Sequence, residues 1–229
     1  MKNIGNRRGF TLIELLVVIS IIGVLAAFTI PVLKSVKAAQ YKKVARGELE
    51  FLQTALENYK AKYGFYPPGN QNAASSGYIP AMFSQLYYEL SGVTRDSVAN
   101  TFTTLDGSST ISAANYYSAY HVDGILNSTK GSGEDDTKAK NFLSGLRQKE
   151  TYTYLTNNLI PTTALVTSVG GPDATYQPLG ASGLNPFRYV YPGVNNPGSY
   201  DLWVQLVING KTNLICNWSR QVIINSPLP

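Results

Sequence analysis

A chain of 229 residues, 44% hydrophobic and 14% charged, has room for one membrane helix and one soluble domain and is apolar enough to build a core. Its net charge of +5 includes Lys2, Arg7 and Arg8, crowded together near the start; the remainder carries +2 (5 − 3), which argues against a nucleic-acid-binding surface. Cys216 is the single cysteine, so no intrachain disulfide can form and stability rests on packing.

The first feature in chain order is the apolar run GFTLIELLVVISIIGVLAAFTI, from Gly9 to Ile30, behind the basic stretch MKNIGNRRG. About 20 helical residues cross a ~30 Å hydrocarbon core, so the run predicts one membrane-spanning helix. Lys and Arg beside a span stay cytoplasmic, which places the C-terminal bulk outside. Glu14 is the one carboxylate in the run. A charge at the helix centre costs on the order of 2.5–3.5 kcal/mol, so Glu14 calls for a partner. An ordinary secretory signal fits poorly: the run exceeds the usual ~7–15 apolar residues, and Ala26-Ala27 offers no A-x-A cleavage site. A plain signal anchor leaves the placement of Gly9, Phe10 and Glu14 unexplained.

The helix is expected to continue past Pro31. Ala45, Leu49, Leu52, Leu56, Tyr59 and Tyr63 recur at alternating spacings of four and three, one stripe of a helix, with Arg46, Glu48, Gln53, Glu57 and Lys60 off it. Gly64 ends this segment and Pro67-Pro68 prevents its resumption. Pro31 lacks an amide hydrogen and predicts a kink or local opening, with Gly23 the other weak point. Residues 64–92 read as a loop and then a short helix, with Pro80 in its first turn and Met82, Phe83, Leu86, Tyr87 and Leu90 on its apolar side. From about 93 to 184 the chain is rich in Ser, Thr, Asn, Gly and Ala and weakly patterned, which suggests an insertion. One helix is expected there, near Thr137–Gln148, with Phe142, Leu143 and Leu146 inward. Glu134, Asp135 and Asp136 would cap its start. Extended pieces follow near Thr151–Leu155 and Ala164–Val169. The end of the chain predicts three strands: Phe187–Tyr191, Tyr200–Val207 and Thr212–Trp218.

Between the last two strands lies Asn209-Gly210. A two-residue loop there pairs Val204 with Ile215 and Leu206 with Asn213. A three-residue loop, Ile208 to Gly210, pairs Val204 with Leu214 and Leu202 with Cys216. The second places apolar residues on one face and is the expected register.

The N-terminal pattern G-F-T-L-x-E, carried by Gly9 to Glu14, closely resembles the class III signal of type IV pilins and type II secretion pseudopilins. YKAKYGFYPP after the helix, and NPFRYVYPGVNNPGSYDLWV near the end, are similar to the major pseudopilins. The resemblance covers roughly residues 1–68 and 185–218 and implies an α+β pilin-like fold, a long N-terminal helix packed on a small C-terminal antiparallel sheet. It implies a leader over 1–9, a membrane half over 10–30, an amphipathic half over 31–63 and a periplasmic domain over 64–229 with the insertion inside it. It further implies cleavage between Gly9 and Phe10 by a prepilin peptidase, methylation of the new amine, and pairing of Glu14 with the Phe10 amine of a neighbouring subunit. Gly23 and Pro31 fall where the family's helix can unwind on entering a filament. The implied partners are copies of the same chain, other pseudopilins, the peptidase, the inner-membrane secretion platform and membrane lipid, with no nucleic acid. The implied location is the bacterial inner membrane, single-pass, with the N-terminus cytoplasmic.

Major pseudopilins bind calcium in the loop after their Tyr-Asp-Leu strand. Asp201 matches that strand, but residues 204–213 supply no carboxylate, and calcium takes about six to eight oxygens, usually with more than one carboxylate. Asp201 is therefore the one calcium candidate, and no other cofactor or metal is expected. His121 and Cys216 are each unique but lack a nucleophile signature, so Cys216 is expected to be a packed residue and the chain not to be an enzyme. The sixteen tyrosines are expected to fill the core, the other reading being a partner surface. Three functions remain open: a subunit of a secretion pseudopilus; a type IV or minor pilin for adhesion, motility or DNA uptake; and a membrane-anchored enzyme or binding domain that uses the same sorting signal.

Overall fold

A computed structural model describes residues 9–69, 84–129, 138–156, 159–170 and 175–226, with the backbone alone at 28–32. Residues 1–8, Pro80, Met82, Phe83 and the run Glu134 to Asp136 lie outside the described residues. The chain divides into two compact units, 1–40 and 41–229.

Helix α1 spans Leu12–Tyr63. It is helical without interruption through Gly23 and Pro31. It stops at Gly64, which takes φ 85° and donates its amide to the Lys60 carbonyl at 2.7 Å, a left-handed closure that suits glycine. The predicted stripe is the buried face: Ala45, Leu49, Leu56 and Tyr59 are fully buried and Leu52 nearly so, whereas Tyr63 is half-buried. Glu48 was expected off the stripe, yet it is buried beside it.

Helix α2 (Leu86–Ser91) is buried throughout. The described residues between 93 and 184 hold more regular structure than their composition suggests. Strands β1 (Val93–Asp96), β2 (Thr101–Thr104), β3 (Thr110–Ser112) and β4 (Ser128–Thr129) form one sheet, in the order β3-β2-β1-β4. Only the β1–β4 pair in it is parallel. Between β3 and β4 lies α3 (Ala113–Tyr120), capped by Ser112, whose hydroxyl accepts from the Asn115 amide at 3.2 Å. Strands β5 (Thr151–Leu155) and β6 (Pro161–Leu165) make a hairpin. The β5 bounds match the expected piece, while β6 starts earlier than the expected Ala164. These strands are short and rich in Thr, so their alternation is too brief to register as periodicity.

The helix expected near Thr137–Gln148 does not form over its described residues, 138–147. Its backbone amides are committed elsewhere: Phe142 donates to the Leu90 carbonyl at 2.8 Å, Lys140 to Asn127 Oδ1 at 2.9 Å and Leu143 to Asn141 Oδ1 at 2.7 Å. Gly145, at φ 109°, breaks the run, and only a 3₁₀ turn at Gln148–Glu150 follows. Phe142 and Leu143 are buried nonetheless.

The C-terminal sheet runs β10-β9-β8-β7, all antiparallel, with β7 at Arg188–Val190, β8 at Asp201–Ile208, β9 at Lys211–Cys216 and a small unexpected β10 at Ile223–Ile224. The expected three-residue hairpin loop is wrong. Ile208 pairs with Lys211, Leu206 with Asn213 and Val204 with Ile215, so the loop is the two-residue Asn209-Gly210. Both residues take positive φ, 53° and 71°, as a type I′ turn demands. The one-face argument failed because every residue of β8 is buried. Leu202, Val204 and Leu206 line one face with Ile215; Trp203 clusters with Cys216 on the other, with Val190, Leu214 and Trp218 packed against them. Leu214 therefore lies on the Trp203 face, away from Val204.

The tyrosines are largely core residues. Tyr88, Tyr116 and Tyr120 are fully buried and stack edge-on or tilted at centroid distances of 4.9 to 6.1 Å. Tyr117 remains exposed.

Candidate functional site

At the N-terminal end Gly9, Phe10 and Thr11 precede the first turn of α1, and Phe10 is 77% exposed. Thr11 and Glu14 form a reciprocal cap. The Thr11 amide and hydroxyl donate to Glu14 Oε2 at 2.8 and 2.7 Å, and Thr11 Oγ1 accepts from the Glu14 amide at 3.3 Å. This is the Thr-x-x-Glu capping box, legible in TLIE. In the single chain Glu14 is thus held by its own helix end.

Beyond Glu14 the helix shows an apolar surface. Leu12, Ile13, Leu15, Leu16, Ile19, Ile21, Ile22, Val24 and Leu25 are each more than half exposed. A Cβ built at Gly23 would meet nothing, so packing within the chain does not require glycine there. Contiguous exposed apolar surface of this kind belongs against lipid or another protein. Among the described residues no helix is long and apolar enough to cross a membrane. The described side chains of this half end at Ala27, whereas the apolar run continues to Ile30.

Among the described residues of the globular unit four carboxylates are buried, Glu48, Glu89, Glu150 and Asp201, and three of them, Glu48, Glu89 and Asp201, pin segments distant in the chain or whole loops. Glu89 on α2 is fully buried and accepts from the Leu126 amide at 2.9 Å, the Asn127 amide at 3.1 Å and the Tyr59 hydroxyl at 3.1 Å. Burial pushes its carboxyl above the usual range, although the two amides and the hydroxyl pull the other way. Glu48 on α1 accepts from the hydroxyls of Thr167 and Ser168 and from Arg147. Asp201, the calcium candidate, is 2% exposed. Its carboxylate accepts from the amides of Val194, Asn195 and Asn196 at 2.9, 2.8 and 3.0 Å and from the side-chain amides of Asn195 and Asn196 at 3.0 and 3.2 Å. A shell of N–H donors does not fit a cation. Among the described residues no group of three or more His, Cys, Asp or Glu is placed to hold a metal ion.

Cys216 is buried at the end of β9, where burial pushes its thiol up, and His121 closes α3 in a left-handed conformation. They lie on different elements. The reading of the sequence missed Glu48 and Glu89, because each depends on partners far along the chain.

A long N-terminal helix followed by antiparallel sheets, with Gly-Phe-Thr at the helix start and one carboxylate in its apolar half, defines an α+β protein of pilin-like architecture. The family model "Prokaryotic N-terminal methylation motif" matches residues 4–30. The chain is 39% identical over 82 residues to "Type II secretion system core protein G" of Escherichia coli, covering 36% of this chain and 57% of that one. The protein of the same name from Vibrio cholerae is 37% identical over 71 residues, 31% of this chain and 49% of that one. The "Type IV major pilin protein PilA" of Myxococcus xanthus is 34% identical over 91 residues, 40% of each chain. The chain spans about half the length of the curated relatives it matches. No solved structure matches.

Proposed function

We propose that this chain is a structural, non-catalytic subunit of a type II secretion pseudopilus. It is inserted in the bacterial inner membrane with its N-terminus cytoplasmic, cleaved between Gly9 and Phe10 by a prepilin peptidase, methylated on Phe10, and polymerised with its own copies and other pseudopilins on the secretion platform. The observation that carries this reading is the coincidence of the methylation motif with an exposed apolar helix whose single carboxylate, Glu14, stands one turn from Phe10. An unpaired carboxylate in an apolar bundle is destabilising, and a neighbour's ammonium removes that cost only in correct register. The similarity to core protein G from two organisms supports the secretion system; the similarity to a major pilin keeps the type IV pilus as the second reading.

Glu14→Ala tests the assembly role. The apolar run becomes more apolar, so insertion should persist or improve, and cleavage should continue because the scissile bond is unchanged. Mass spectrometry should find N-methyl-Phe10 at the start of both wild-type and variant chains. Filaments sheared from cells should fall sharply in the variant alone. Normal filament yield would remove the pairing role, and an intact leader in mature membranes would remove the whole reading. Deletion of the chain separates the two systems: failed export of a secreted protein indicates the pseudopilus, and loss of surface fibres with normal export indicates the pilus.

A further inference from the structure

We infer that the end of the C-terminal sheet where β8 begins and β9 ends is closed by two of the chain's own fixed charges, Asp201 and Arg46, and takes no calcium ion. Two loops meet at this end, 191–200 before β8 and 217–222 after β9. The first wraps the Asp201 carboxylate. A carboxylate offers about four lone-pair sites, and five N–H groups already converge on this one. A cation seeking those oxygens would meet hydrogens that carry positive partial charge. The wrap is tight: a Cβ at Gly193 would stand 2.7 Å from Asp201 Oδ1 and 2.8 Å from the Asn196 carbonyl oxygen.

The second loop has the opposite polarity. The carbonyls of Cys216, Ser219 and Arg220 converge, and a set of backbone oxygens like this is what a hard cation uses. The Arg46 guanidinium fills the place. Its Nη1 donates to the Cys216 carbonyl at 2.6 Å, and its Nη2 donates to those of Ser219 and Arg220 at 3.0 and 3.3 Å. Asn217 ties the loops together: its Nδ2 donates to the Tyr200 carbonyl at 2.8 Å and its Oδ1 accepts from the Leu202 amide at 3.0 Å. An anion ringed by N–H groups and a cation ringed by carbonyls leave no oxygen set free for a metal. The inference concerns the globular unit and stands whether or not the chain forms a filament.

The test uses the full-length chain in detergent. Its melting temperature in EGTA and in millimolar calcium chloride should agree within about 1 °C, and equilibrium dialysis with radioactive calcium should show no stoichiometric binding. Asp201→Asn turns an NH2 group against the loop's donors, so its melting temperature should fall by about 4 °C or more, with no rescue by calcium. Arg46→Lys keeps the charge but loses the fork that reaches three carbonyls, and should also melt early. A rise of about 4 °C or more for the wild type in calcium, or one bound ion per chain, overturns the inference. So does unchanged melting of both variants. Should Asp201→Asn fail to fold, the wild-type calcium measurements still decide.

Discussion

Glu89 shows how one buried side chain sets local stability. It receives two backbone amides from the 126–127 segment and one hydroxyl from α1, while Asn127 donates back to the Glu89 carbonyl at 2.6 Å and to that of Lys140 at 2.7 Å. Four segments are thereby fixed around one acid. Burial raises the folded value of this carboxyl above its ordinary 4.5. A raised acid binds its proton more readily in the folded than in the unfolded chain. Its contribution to stability is therefore present at low pH and is lost as pH rises from 4.5 through the raised folded value. Glu89→Gln removes the titration. The melting temperature of Glu89→Gln minus that of wild type should become more positive as pH rises from about 4.5 to 8, whatever the offset at low pH. Parallel melting profiles would show that Glu89 does not titrate in this window.

At the scale of elements, α1 and the C-terminal hairpin carry the argument. Leu56 is fully buried on the α1 stripe, so Leu56→Ala should cost about 2–5 kcal/mol, read from urea unfolding of the full chain in mild detergent. A cost under about 1 kcal/mol would mean that the stripe does not make the core. In the hairpin, Gly210 holds φ 71°, and Gly210→Val should cost about 1–2 kcal/mol, whereas Asn209→Gly should stay within about 0.5 kcal/mol. The stripe was legible in the sequence because helical periodicity repeats over five turns, and the presence of β7, β8 and β9 was legible because Pro, Gly and Asn separate them, although each end was misplaced by one or two residues. The hairpin register was not. Alternation reports a face only when one side of a strand meets water, and β8 is buried on both. The helix near 138–147 was misread because its apolar residues fit a helix face while its amides are bonded to Leu90, Asn127 and Asn141, partners that periodicity does not reveal. In the candidate site, Glu14 and Asp201 were visible as residues; the Thr11 cap was visible as Thr-x-x-Glu and overlooked, and the donor shell of Asp201 needed the fold.

At the scale of the whole molecule, burial is unevenly distributed along α1. Between residues 12 and 40, no described side chain is buried, and among the described side chains of the helix the first buried one is Ala45. The second compact unit starts at Tyr41 and contains every buried side chain named here. The buried core named here therefore belongs to the second unit, while the described Leu, Ile and Val side chains of residues 12–27 are exposed. Two outcomes follow for a fragment of residues 41–229. It should remain monomeric in detergent-free buffer, because the surface removed is the one that drives association. Its melting temperature should match that of the full chain in mild detergent to within about 3 °C, since a 1 kcal/mol change shifts a domain of this size by about 2–4 °C. The full chain should precipitate or self-associate once detergent is withdrawn. Analytical ultracentrifugation and circular dichroism on both forms check this directly. A fragment that fails to fold, or a full chain that stays monomeric without detergent, would show that residues 12–40 belong to the core rather than to a surface kept for lipid and neighbouring subunits.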